Sequence, residues 1–270
     1  MIPLLLCLLA ISQKSASGGV DKPIILDGSF DAYAAQYIFV STQFGLYSFD
    51  RTAETFRKII QESNNNILGL DEGIIWITLH DGLASADVRI NDWRIDKSQG
   101  AIEGLGFDDN FVWIGSDSGL SRFDKFQETW QTVSKLKVNC LLAERNFLWL
   151  ATDSGIWRYN QEFEKIEPVP APKLGYSYIM DNPNRIWFLA KEHLVAYEKN
   201  TENWSTYPSL EITDYSGLGD SLFVVSHNQV YLYEPNANAW LEYRDVPEVK
   251  KTNGIAVNGD NILFAWTKVY

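Results

Sequence analysis

The chain has 270 residues, 46% of them hydrophobic and 14% aromatic, with a formal charge of −12. That apolar content is ample for the core of one large domain. The acidic balance argues against phosphate backbones and anionic membrane surfaces, so nucleic acid is not an expected partner.

Residues 2–11, IPLLLCLLAI, form an apolar run of half the ~20 residues needed to span a bilayer. The small polar stretch SQKSASGG follows. Together they have the form of a signal peptide over 1–17, cut after Ser17, with Ser15 and Ser17 at the −3 and −1 positions. No basic residue precedes the run, so a misplaced start or a buried strand is the alternative reading. Cleavage would leave 18–270 as the mature domain, without stable membrane insertion and with Cys140 as its sole cysteine. In VNCLLA that thiol has apolar neighbours and is expected to pack as a small hydrophobe.

From residue 30 onward one pattern repeats. Its anchor is an aromatic inside a short apolar run: Phe39, Trp76, Trp113, Trp149, Trp187 and Phe223, with a degenerate seventh copy at Leu263. Successive spacings are 37, 37, 36, 38, 36 and 40 residues. Each unit holds four short strand-like runs separated by polar turns, as in AIEGLGF, FVWIGS, GLSRFD and TWQTV. The gaps are too short for crossover helices, and no stretch sustains a 3.6-residue period. The expectation is an all-β, single β-propeller of seven blades, each of four antiparallel strands. Apolar residues on both faces of a strand then follow, because neighbouring blades cover both faces.

Tryptophan usage agrees. Trp76, Trp113, Trp149 and Trp187 occupy the strand-two anchor, while Trp93, Trp130, Trp204 and Trp240 share a place in strand four, where Phe56 and Phe163 stand in. Eight of ten tryptophans on two lattice positions argue for packing. The seventh unit reaches Tyr270 in its third strand, and DKPIIL at 21–26 is a candidate for its outer strand, with C-terminal truncation the alternative.

The stretch GLGFDDNFVWIGSDSGLSRFD resembles the propeller repeat of two-component regulators, with its D-x-x-x-x-h-W-h-G-T-x-x-G-L-x-R-[FY]-D pattern. Units three and four match it well, and the similarity runs over about residues 30–270. The resemblance implies a bacterial protein of the periplasm or cell exterior, with a partner in an envelope complex or an oligosaccharide ligand. The family's transmembrane helix and kinase have no counterpart in these residues, so its signalling role is not carried over.

Candidate chemistry is tested by position in the repeat. Asp71, Asp109, Glu144, Asp181, Asp220 and Asp260 recur between strands one and two, which marks turn residues bonding their own backbone. Asp117 and Asp153 stand at strand-two/three hairpins, each followed by a glycine, Gly119 and Gly155, expected to supply a positive φ. Gly45 and Gly82 match these glycines. His80 and His227 fill the Asp117 slot in other units; with His193 they form no zinc-like cluster, so no metal is expected. No phosphate-binding glycine loop, nucleophile elbow or quinoprotein repeat occurs, so no cofactor is expected.

What remains is one face of hairpin tips and blade connections. It would carry Phe44, His80, Asp117, Asp153, Trp157, His227 and Trp266, a set suited to sugar rings or peptide segments. The reading is a non-catalytic exported binding module for an envelope protein or an oligosaccharide. The rival is a hydrolase or lyase on a propeller scaffold, which needs acids converging from the first strands; NILGL, IEGLGF and VNCLLA carry only Glu103.

Overall fold

The structure, a computed structural model, describes residues 7–9, 24–27, 36–42, 45–60, 68–79, 81–87, 92–144, 146–190, 193–208, 212–218, 221–227, 229–234, 237, 239–243, 251–258 and 261–267. Every regular element among them is a strand. After β1 (Cys7–Leu9) come six four-stranded antiparallel sheets in chain order. The first is β2 (Ile24–Asp27), β3 (Tyr37–Thr42), β4 (Gly45–Asp50) and β5 (Thr55–Ile60). The second is β6 (Leu68–Asp71), β7 (Ile74–Leu79), β8 (Gly82–Asp87) and β9 (Asp92–Asp96). The third is β10 (Gly104–Phe107), β11 (Phe111–Ser116), β12 (Gly119–Asp124) and β13 (Thr129–Ser134). The fourth is β14 (Cys140–Glu144), β15 (Phe147–Thr152), β16 (Gly155–Asn160) and β17 (Lys165–Pro168). The fifth is β18 (Tyr176–Asp181), β19 (Arg185–Ala190), β20 (His193–Glu198) and β21 (Asn203–Pro208). The sixth is β22 (Ile212–Leu218), β23 (Ser221–Ser226), β24 (Gln229–Glu234) and β25 (Ala239–Glu242). These are the blades of a β-propeller, paired in the order one-two-three-four.

The count differs from the expected seven. The last unit contributes only β26 (Lys251–Asn258) and β27 (Asn261–Thr267), an antiparallel pair. The third member of their sheet is β1, which runs parallel to β27 with Cys7 opposite Phe264. Residues 24–27, expected in part as an outer strand of that sheet, instead pair with β3 as the inner strand of the first blade. In that pairing Leu26 falls directly opposite Phe39.

The chain divides into two compact units, Asn66–Ser209 and a second made of Met1–Asn65 with Leu210–Tyr270. Blades two to five form the first unit. Its core is layered by the aromatic lattice: the strand-two tryptophans of blades two, three and four each meet the strand-three aromatic of the next blade. Trp76 lies 6.0 Å from Phe123, Trp113 5.6 Å from Tyr159 and Trp149 4.9 Å from Tyr197. β7, β11 and β15 are buried along nearly their whole length, as strands covered on both faces must be. The strand-four aromatic pairs across the hairpin with strand three, as Phe123 does with Trp130 at 5.2 Å and Tyr197 with Trp204 at 5.0 Å. Blade four departs from this. Ile166 stands opposite Tyr159 there, and Phe163, expected at that position, lies three residues earlier in the turn, 70% exposed.

Two lysines staple neighbouring blades within this unit. Lys125, in the strand-three/four turn of blade three, puts Nζ 2.6 Å from Asp71 of blade two and donates to the Asp108 carbonyl. Lys199, the equivalent residue of blade five, reaches Glu144 of blade four at 2.7 Å and Asp181 at 2.6 Å. Burial pushes the Asp71 and Asp181 carboxyls up, and the lysines oppose that. The recurring strand-one/two acids therefore do more than brace their own turns. In blade three the residue bonding its own backbone is Asp108, which accepts from the Asn110 and Phe111 amides, rather than the expected Asp109. Asp108 also accepts the Trp113 indole N–H at 2.5 Å, and Glu144 accepts that of Trp149 at 3.0 Å.

The strand-three/four turns share one construction. Asp50, Asp124 and Asn160 each accept two following backbone amides, and Glu54, Glu128 and Glu164 close those turns with φ of 53, 52 and 49°.

Candidate functional site

The two hairpins that carry Asp117 and Asp153 are built alike. Ser116 and Thr152, both buried, accept the amides of Ser118 and Ser154 on their hydroxyls and donate to the carbonyls of Gly119 and Gly155. This brace turns the aspartate side chains outward at the tip. Gly119 and Gly155 adopt φ of 131° and 134°, as expected for that slot. Gly82 does not share the positive φ. A Cβ there would lie 2.2 Å from the Asp96 carbonyl oxygen, so its glycine answers to space.

Between the hairpins runs the connection from blade three to blade four. Val138 is fully buried and its amide donates to the Ser116 carbonyl, while Asn139 donates its amide to the Ala151 carbonyl. The extended chain alternates about this anchor, sending Lys137 and the Asn139 side chain the other way. Lys137 Nζ lies 3.0 Å from Asp117 and 3.2 Å from Asp153, bridging two blades. Asn139 Nδ2 donates to Asp153 at 2.7 Å and to the Tyr176 carbonyl of blade five at 3.0 Å. Next to Asp153, Ser154 Oγ accepts the Trp157 indole N–H at 3.3 Å. Trp157 itself is half-buried, its ring packed on the core that contains Trp113 and Leu150.

The electrostatics keep this cluster charged. Hydrogen bonding from Asn139, then the bond and charge of Lys137, hold the Asp153 carboxyl below its ordinary 3.8. Bonding to Asp117 and then Asp153 holds Lys137 above 10.5. Neither group has the poised proton that general acid–base work requires near neutrality. Cys140, the residue after Asn139, has its thiol pushed up to about 11 by burial, consistent with the inert role expected of it.

Three of the seven expected site residues, Asp117, Asp153 and Trp157, thus come together, joined by Lys137 and Asn139. Those two were missed because the connections carry no recurring pattern. Tyr178, half-exposed on β18 two residues beyond the carbonyl that Asn139 bonds, was missed as well; the pairing of β18 shifts register between Tyr176 and Tyr178. His227 belongs to the other unit, where it is exposed in the β23–β24 hairpin, with φ of 51° and Nδ1 3.0 Å from Ser226 Oγ. Phe44 and His80 lie outside the described residues, and of Trp266 only its place in β27 is described. Among the described residues no three His, Cys, Asp or Glu side chains are grouped to hold a metal ion, and no helix is long and apolar enough to cross a membrane.

No protein-family model and no curated protein sequence matches the chain. Solved structures do. The extracellular domain of a protein assigned to the hybrid two-component systems of B. thetaiotaomicron superposes with a TM-score of 0.75 at 14% identity, over 94% of this chain and 38% of that one. A second such domain from the same organism gives 0.65 at 16% identity, over 83% and 35%. A chain of a mitotic checkpoint complex gives 0.68 at 12% identity, over 97% and 100%. This chain therefore spans little more than a third of the length of those extracellular domains. At such identities the likeness establishes the propeller fold, which is the fold that the resemblance of the repeat implied.

Proposed function

We propose that this chain is an exported, non-catalytic propeller module that binds an oligosaccharide at the hairpin face of blades three and four. The observation that carries the reading is the Asp117–Lys137–Asp153 bridge, continued through Ser154 to Trp157. It presents fixed carboxylate acceptors, an ammonium donor and an aromatic ring on rigid strand ends, the equipment that recognises sugar hydroxyls and sugar faces. The extracellular character of the bacterial structural neighbours supports an envelope or exterior location. The apolar run at 2–11 has the form of an export signal, and its cleavage would release β1 from β27 and leave 18–270 as the mature chain.

The pairing of Asp153 supports binding rather than turnover. A glycosidase needs one carboxyl that keeps its proton near neutrality and a second that does not. Here Asp153 is held in the ionised form by its partners. The test is a glycan array followed by calorimetry on the full chain and on Asp117→Asn/Asp153→Asn. The native protein should retain a restricted set of oligosaccharides, and the variant should lose affinity by about tenfold or more. Equal binding by both proteins, or steady release of reducing ends from a bound glycan, would overturn the reading.

A further inference from the structure

The opposite ends of the same blades carry a second feature with no place in the packing lattice. Phe126 is 80% exposed and Phe163 is 70% exposed, in the strand-three/four turns of blades three and four. Single exposed apolar residues are ordinary, but two phenylalanines projecting from corresponding turns of adjacent blades are not. Their turns are held in place. Asp124 and Asn160 accept the backbone amides of Phe126 and Phe163, and Arg122 of blade three bonds Glu164 at 3.3 Å, which lays the Phe163 turn against the strand leading to Phe126. Neither ring is needed inside, since blade four fills its strand-four position with Ile166.

The charge around the rings is acidic. Glu128 and Glu164 keep about two-thirds of their side chains exposed even while paired with Arg94 and Arg122, and Glu162 is exposed between them. Of the two lysines of this rim, Lys125 is withdrawn to 15% exposure by Asp71, and Lys165, exposed beside Glu164, is paired with Glu167. We propose that this rim is a docking surface for a protein partner whose segment interleaves apolar side chains with lysine or arginine. A second copy of the chain is the poorer occupant, because it would press carboxylates against carboxylates on a molecule of net charge −12. One end of the blades would then hold ligand while the other holds a partner.

The experiment uses the full chain and three short labelled peptides, alternating Leu–Lys, Leu–Glu and Ser–Lys, read by fluorescence anisotropy at low and physiological salt. Binding of Leu–Lys, weakened about tenfold or more by Phe126→Ser/Phe163→Ser and also by Glu162→Lys, with no binding of the other two, is the expected result. Both phenylalanines are exposed, so the double variant should keep its far-UV spectrum and melting temperature. Equal binding of Leu–Lys and Ser–Lys, indifference to the Phe variant, or no binding of Leu–Lys overturns the proposal. So does phenylalanine-dependent self-association in sedimentation, which assigns the rim to a second copy. Phenylalanine-dependent binding to phosphatidylcholine vesicles also overturns it, by assigning the rim to a lipid surface.

Discussion

Trp113 and Trp76 occupy the same lattice position in adjacent blades but differ in one bond, which makes them a matched pair for mutation. Trp113 is fully buried and donates its indole N–H to the Asp108 carboxylate at 2.5 Å. Trp76 is 9% exposed, and its Nε1 is buried without an acceptor among the described residues; the acid five residues before it, Asp71, bonds Lys125. Replacing each by Phe removes the same atoms, so the change in ring size largely cancels between the two. At Trp113 the substitution also deletes a hydrogen bond to a charged group, worth about 1.5–3 kcal/mol. At Trp76 it deletes a buried donor whose desolvation cost is about 1–3 kcal/mol. Trp113→Phe should therefore cost about 2.5–6 kcal/mol more than Trp76→Phe. Urea unfolding followed by far-UV circular dichroism reads this without relying on tryptophan emission, and matching m-values would validate the comparison. A difference below about 0.5 kcal/mol, or the larger loss at Trp76, would refute the claim that the recurring acids hold the tryptophan lattice. Truncation at the same site, Trp113→Ala, should cost ~3–5 kcal/mol as a large core deletion.

The hairpin glycines give a second test. Gly155→Ala meets only backbone strain at φ 134°, with nothing within 4 Å of the new Cβ, and should cost about 1–3 kcal/mol. Gly119→Ala adds a Cβ 2.0 Å from the Ser134 carbonyl oxygen at a similar φ, so its thermal unfolding should fall distinctly further; equal losses would contradict the geometry. The third test concerns pH. Because the folded Asp153 carboxyl titrates below 3.8, its stabilisation is fully present above that value and is lost as pH falls through the lower folded one. Lys137, raised above 10.5, retains its contribution below 10.5 and loses it as pH rises through its higher folded value. The urea midpoints of the native chain and Asp153→Asn should therefore stay separated between these limits, converge on the acid side and narrow on the alkaline side, where the Asn139 bond to Asp153 remains. A gap that persists on the acid side would sink the assignment.

The fold was legible because repetition multiplies weak evidence. One FVWIGS is ambiguous, but the aromatic anchor recurring at every unit points to a packing site. The hairpin tips were legible for the same reason, since position in the repeat separated Asp117 and Asp153 from the strand-one/two acids. What escaped lay where the repeat is silent. Lys137 and Asn139 sit in a connection, and nothing in LKVN announces that a buried Val138 will turn its neighbours toward two aspartates. Phe163 was misplaced because aromatic character alone cannot distinguish the last turn residue from the strand position three residues later. The pairing of Tyr159 with Ile166 decides it. Asp108 and Asp109 differ by one position, and the choice rests on which carboxylate reaches the Phe111 amide.

The stapling lysines have a period of their own. Lys125 and Lys199 stand 74 residues apart, twice the blade repeat, while Gln161 fills the same slot in the intervening unit. Within Asn66–Ser209 this leaves the boundaries between blades two and three and between four and five cross-linked by lysine. The boundary between three and four has no lysine at that end and rests there on Arg122–Glu164 and the Trp113–Tyr159 contact, with Lys137 bridging the hairpin tips at the other end. Blades two and three, and blades four and five, are thus lysine-linked pairs at this end. Deleting blade four alone would strip Lys199 of its Glu144 partner, whereas deleting four and five together would leave the Lys125–Asp71 staple whole.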